Sequence, residues 1–211
     1  MVTQPVLIEK LSLQQMESKP LRYTSSGDLR VGLVVPTIRP ATEADLPALD
    51  KLATSATHDL LGPFLSAEQR ASCLVFTPFD PWLITDGSYF VAELDGVVRA
   101  SGGWSRRMAM VHQPTDQTTC PDPSGPARIR AMYTDPDYAR LGLGRTLLAV
   151  CEVSARLSGH FELELLATPI GRLLYLSSGF ETLESVEIQS EDNVFFEVFR
   201  MQKSFSAAMA T

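Results

Sequence analysis

The spacing of hydrophobic positions changes several times along the chain, and each change marks an element. Val34 to Pro40 reads as a strand. Thr42 and Asp45 then have the spacing of a capping box ahead of a helix over residues 44–56. Ser66 and Gln69 repeat that signal for a second helix. The runs SYFVAEL (88–94) and VVRASGGW (97–104) flank Asp95-Gly96, and an Asp-Gly pair supplies the positive φ angles of a tight hairpin turn, so a β-hairpin is predicted. Ala127 to Thr134 predicts the next strand. Leu147, Leu148, Cys151 and Ala155 then share one face of a helix that stops near Ser158, ahead of Gly159. A strand over Phe161 to Ala167, a short helix over Pro169 to Ser177 closed by Gly179, and strands around Glu184 to Ile188 and Val194 to Arg200 complete the order.

This alternation predicts an α/β fold, a mixed central sheet flanked by helices. The domain spans residues 36–204, with an N-terminal extension over 1–35 and a short tail over 205–211. Within the extension, Leu7 to Met16 has helical character and Ser25, Ser26 and Gly27 mark a turn. Met108 to Pro126 is rich in Pro, Thr, Gln and Asp, and connections longer than ~12–15 residues are more often functional or disordered than merely connective. No internal repeat is visible.

Composition narrows the function classes. At 211 residues, 45% hydrophobic and 20% charged, the chain fits one soluble globular domain with a terminal extension. A net charge of −7 argues against general nucleic-acid binding, which needs a basic face. No apolar run approaches the ~18 residues of a bilayer span, so no membrane partner is expected. Cys73, Cys120 and Cys151 lack metal-ligand or disulfide spacing, which points to a cytoplasmic protein without a metal.

The chemistry is concentrated in PDYARLGLGRTLL, Pro136 to Leu148, where Gly142 and Gly144 lead into the amphipathic helix. A helix start presents unpaired N–H groups and a positive dipole end, and glycines let a ligand approach them closely, a combination suited to phosphate. Two familiar phosphate loops fail on spacing. A Walker loop needs a lysine where Arg145 stands, and a dinucleotide fingerprint needs a third glycine where Leu147 stands.

The turn YARLGLGRTLL after a strand ending MYTDP, with the segment LELLATPIGRLLYLSSGFE, resembles the GCN5-related N-acetyltransferase (GNAT) superfamily over about Thr37 to Lys203. The family's pyrophosphate motif [QR]xxGx[GA] aligns with Ala139 to Gly144, and Ala139 replaces the usual Gln or Arg. The resemblance implies acetyl-CoA as co-substrate. Its diphosphate would lie on the backbone of Arg140, Leu141, Gly142, Leu143, Gly144, Arg145 and Thr146. Its pantetheine arm would run along Met132, Tyr133 and Thr134, where a backbone N–H would polarise the thioester. Tyr175, in LLYLSSGF, would protonate the departing thiolate. An acetyl group would pass to a primary amine of a small molecule, and many relatives are homodimers.

No general base declares itself; His112, in the long loop, is a weak candidate. Arg106, Arg107, Arg128 and Arg130 fall on what should be neighbouring strands. Either some of them, Arg106 and Arg130 first, face an acceptor's carboxylate or phosphate, or they form a solvated face. Trp104 and Tyr133 are candidates for the same groove or for the core. Glu162 and Glu164 share a strand face, read as a solvent stripe rather than a catalytic pair. Met108, Met110, Met132 and Met201 read as packing residues. The Ala139 departure and the missing base leave open two alternatives: CoA-independent decarboxylation or cyclisation on the same scaffold, or a non-catalytic acyl-CoA-binding module.

Overall fold

The computed structural model describes residues 35–76, 82–107, 125–190 and 192–206. The features read in the N-terminal extension, His112 and Cys120 in the long loop, and most of the tail lie outside those residues. The strands are β1 (Thr37–Pro40), β2 (Tyr89–Leu94), β3 (Val97–Ser105), β4 (Ala127–Thr134), β5 (Glu162–Ala167), β6 (Glu181–Gln189) and β7 (Phe195–Ser204). They form one sheet in the order β1-β2-β3-β4-β5-β7-β6. β4 and β5 are parallel; every other neighbouring pair is antiparallel. The helices that matter here are α1 (Leu46–Ala56), α2 (Ala67–Phe76), α3 (Leu143–Leu157) and α4 (Arg172–Ser177).

Local signals act as their chemistry dictates. Asp45 accepts hydrogen bonds from Thr42 N (2.8 Å) and Thr42 Oγ1 (3.0 Å), which closes a 3-10 turn that runs into α1. The same carboxylate takes two bonds from Arg39, at 2.8 and 2.7 Å, and this guanidinium holds it well below the usual carboxylate pKa range. Ser66 and Gln69 cap α2 reciprocally, at 3.0 and 3.1 Å. Asp95 (φ 52°) and Gly96 (φ 74°) make the two-residue turn of the β2–β3 hairpin.

Burial follows from β2 lying inside the sheet with both faces covered. Phe90 and Ala92 pack into the main core with Leu143, Leu147, Leu148, Cys151 and Ala155 of α3, while Tyr89 and Val91 join a smaller core with Leu49 of α1. The α3 residues are spaced to line one helix face, and burying each leucine there contributes about 1.5–3 kcal/mol.

Two expectations change. β6 and β7 are longer than their hydrophobic runs suggested, because β6 is an edge strand whose Glu181, Glu184 and Glu187 stay in water. Glu164 is not part of a solvent stripe. It is buried, accepts a hydrogen bond from Arg200 Nε of β7 and lies 3.8 Å from Arg128 Nη2 of β4, whereas Glu162 is exposed. Its cations come from both neighbouring strands, so strand alternation alone could not reveal them.

The sheet has one irregularity with consequences for the site. Ser101 stands opposite Tyr133 and Gly103 opposite Arg130, so β4 carries one residue more than β3 between these pairs. Within that bulge Ala131 has φ 50°, a left-handed conformation that costs a non-glycine residue about 1–3 kcal/mol. The buried Tyr89 hydroxyl holds it, donating to the Ala131 carbonyl at 2.8 Å. Tyr89 Oη and Ser101 Oγ are 2.9 Å apart, and because the carbonyl only accepts, the phenol proton goes there and Ser101 donates to the phenol. The two glycines of β3 make room opposite. A Cβ on Gly102 would fall 2.1 Å from Met132 Sδ, and one on Gly103 would fall 2.5 Å from Tyr89 Cδ2 and 2.6 Å from the Ser88 carbonyl. Gly103→Ala is therefore expected to destabilise the fold by about 1–3 kcal/mol in urea unfolding; a loss below ~0.5 kcal/mol, as at an uninvolved surface site, would contradict this packing.

Candidate cofactor-binding and catalytic site

β4 and β5 pair only at Ala127–Leu163 and Arg128–Glu164. Beyond them β4 continues to Thr134 and β5 to Ala167, each paired on its far side, β4 with β3 and β5 with β7. The two strands diverge into a wedge.

At the wide end of the wedge, the connection from β4 to α3 is tightly held. The Asp135 carboxylate accepts from Asp137 N (3.0 Å) and Arg99 Nη1 (2.7 Å), Asp135 N donates to the Arg99 carbonyl (2.8 Å), and the Arg99 guanidinium lies 4.3 Å from the Tyr138 ring centroid. The chain then passes Arg140 (φ 65°) and Gly142 (φ 93°), two left-handed residues that turn it into α3. The first helical bond runs from Thr146 N to the Gly142 carbonyl at 3.0 Å. The amides of Leu143, Gly144 and Arg145 thus lie ahead of it with no helical acceptor, at the positive end of the dipole.

Three elements meet at Gly144. A Cβ there would lie 3.4 Å from Leu174 Cδ2 of α4 and 3.6 Å from Thr134 Oγ1 of β4. Arg145 Nη2 donates to Ser177 Oγ at 3.0 Å, a second tie between α3 and α4. The structure thus gathers the end of β4, the loop residues 140–146 and the helix bearing Tyr175. Tyr175 is 8% exposed, its ring edge-on to Phe180 at 5.7 Å between centroids. Burial, reinforced by nearby Cys151 and Tyr133, pushes its phenol well above the ordinary tyrosine pKa. No described residue hydrogen-bonds its hydroxyl.

The acceptor candidates separate. Arg130 lies on β4 opposite Gly103, beside the bulge. Trp104 is buried, its indole N–H donating to Ser154 Oγ at 3.0 Å and its ring tilted against His160. Trp104 and Arg106 line a cleft of about 480 Å³ with Ser154, Leu157 and Ser158. That cleft is at the C-terminal end of α3, about 20 Å along the helix from the loop at residues 140–146. Arg107 is held by two bonds to Asp86, both 2.8 Å, and Arg128 sits near Glu164. Among the described residues no cluster of three or more His, Cys, Asp or Glu is placed to hold a metal, and no helix is long and apolar enough to cross a membrane. Sequence reasoning missed Tyr89, Ser101 and Arg99; only Asp135-Pro136 carried a readable turn signal.

Residues 85–182 match the acetyltransferase (GNAT) domain model. Solved structures share the fold. The GCN5-related N-acetyltransferase (aminotransferase, class II) of Rhodopseudomonas palustris is 19% identical with a TM-score of 0.62, over 81% of this chain and 96% of that one. The ribosomal-protein-alanine N-acetyltransferase of Brucella melitensis is 24% identical with a TM-score of 0.56, over 80% and 99%. The PaiA N-acetyltransferase of Thermoplasma acidophilum, solved with coenzyme A, is 17% identical with a TM-score of 0.58, over 81% and 99%. No curated protein matches the chain by sequence. Over residues 85–182 the chain is thus similar to a GNAT acetyltransferase domain, and it shares the fold of the solved N-acetyltransferases.

Gly142→Glu is expected to give no measurable heat on calorimetric titration with acetyl-CoA, because its carboxylate would bring the diphosphate's own charge to the helix mouth on a strained backbone. Micromolar binding by this variant would place the diphosphate elsewhere.

Proposed function

We propose that this protein moves the acetyl group of acetyl-CoA to a primary amine of a small molecule. The observation that carries this reading is the meeting of the β4–β5 wedge with the amides that precede the first hydrogen bond of α3. The diphosphate rests on the backbone of residues 140–146, with the exposed Arg140 adding positive charge. The pantetheine arm lies in the wedge along Met132, Tyr133 and Thr134, as an added strand would. The Thermoplasma relative was solved with coenzyme A, which supports coenzyme A as a ligand of this fold.

In the reaction the neutral amine nitrogen attacks the thioester carbon, the C–N bond forms and the C–S bond breaks. A backbone N–H at the bulge stabilises the developing oxyanion. The nitrogen's surplus proton leaves to water, and the thiolate takes its proton from Tyr175, which solvent then restores. Burial suits Tyr175 to this role by keeping the phenol protonated. Arg130, beside the bulge, is the side chain we assign to an acidic group on the acceptor. Trp104 and Arg106, at the far end of α3, take no part in the transfer.

Thiol release across a panel of amines tests the reading, and a protein that neither binds acetyl-CoA nor releases thiol would favour CoA-independent chemistry. Tyr175→Phe should lower kcat by about 100-fold while the affinity for coenzyme A stays unchanged; undiminished turnover would remove Tyr175 from the mechanism. A general acid must be protonated to act, and burial raises this one above the ordinary value of 10.0. The pH profile of kcat should therefore rise through the ionisation of the acceptor amine and show no fall that depends on Tyr175 below pH ~10.

A further inference from the structure

We propose that Tyr89 is a positioning residue for acyl transfer: its hydroxyl, by holding the Ala131 carbonyl, fixes the direction of the Met132 N–H that polarises the thioester. This deepens the reading of the wedge as an acetyl-CoA site and rests on it. The two groups belong to one peptide unit, and in a planar trans peptide the C=O and N–H point to opposite sides. The Ala131 carbonyl is held at 2.8 Å by a phenol rooted in the α1-side core. The Met132 N–H is thereby directed the other way, toward the side of the sheet that carries α3, where Met132 packs with the main core.

The arrangement needs a latch because Ala131, at φ 50°, does not favour it intrinsically. Without the Tyr89 bond the peptide unit is free to turn toward regular strand geometry, and the N–H turns with it. The phenol is itself oriented. Ser101 donates to its oxygen at 2.9 Å, so the phenol proton cannot swing to Ser101 and stays on the carbonyl. Gly103 leaves the room the ring requires, since a Cβ there would come within 2.5 Å of it. Space filling alone does not account for the tyrosine, because a phenylalanine ring would occupy the same volume without the hydroxyl.

The test is Tyr89→Phe, read by steady-state kinetics and by isotope-edited infrared spectroscopy of acetyl-CoA labelled with ¹³C at the carbonyl. We expect kcat to fall roughly tenfold, less than the ~100-fold of removing an oxyanion donor outright. The dissociation constant for coenzyme A, which lacks the acetyl group, should stay within about twofold of the parent's. The bound carbonyl band should move toward its position in free acetyl-CoA. An unchanged kcat and band would overturn the proposal, as would a fall in kcat with an unmoved band, which is what a purely structural role produces. Should Tyr89→Phe fail to fold, Ser101→Ala removes only the group that orients the phenol. It should move the band in the same direction and lower kcat by about two- to threefold, a shift of well under 1 kcal/mol; no change there also overturns the assignment. If the native protein neither binds coenzyme A nor releases thiol, the transferase reading itself has failed; intact native behaviour with unaltered variants removes Tyr89 alone.

Discussion

The site depends on two adjacent strands that are each committed to a different neighbour. β5 is held by β7 along its whole length, from Glu162–Ser204 to Ala167–Phe199, and cannot swing toward β4 without breaking that ladder. β4 is held by β3, and its extra residue at Ala131 bends and twists it where pairing with β5 has already ended. α3 packs against β2, β3 and β4 through one apolar face, so its N-terminus is fixed over the wide end of the wedge. Divergent strands and a helix mouth are thus one consequence of how the core is packed.

This geometry reconciles the proposed phosphate site with an acidic chain. The net charge is −7, and a diphosphate would be repelled by the average surface. The local field at residues 140–146 comes instead from backbone dipoles, which act over the first turn of α3 whatever the protein's net charge. Ala139, where the family carries Gln or Arg, supplies no side-chain donor. Left-handed backbone at Arg140 and Gly142 shapes the turn, and the nearest guanidinium after the loop, Arg145, is tied to Ser177. In the proposed reading the anion is held chiefly by amides.

Much of this was legible because its causes are local. A capping box needs two residues three apart, and Thr42–Asp45 and Ser66–Gln69 both form; an Asp-Gly hairpin needs two, and Asp95-Gly96 obliges. The glycine turn and the buried face of α3 follow likewise from short-range spacing. The bulge was hidden because its strained residue is an alanine, without the glycine that usually signals positive φ, and because the groups holding it lie in β2 and β3, before the long loop. The glycine pair in SGGW was the nearest visible trace, since glycine inside a strand marks a close approach. Glu164 was misread for the same reason: two cations that neutralise it come from strands on either side.

The separation of the arginines follows from the helix that spans them. The carbonyl end of α3 is the negative end of its dipole, and Arg106 lines the cleft there with Leu157, Ser158 and Gly159. A cation at that end is favourable in its own right, so its presence requires no bound anion to explain it. Arg107 is likewise accounted for by Asp86, and Arg128 by Glu164. The dipole that favours a diphosphate at Leu143 thus favours a guanidinium beyond Leu157, about 20 Å away. A cluster that looked like one acceptor groove on adjacent strands is instead divided by the length of α3, with Arg130 placed beside the bulge.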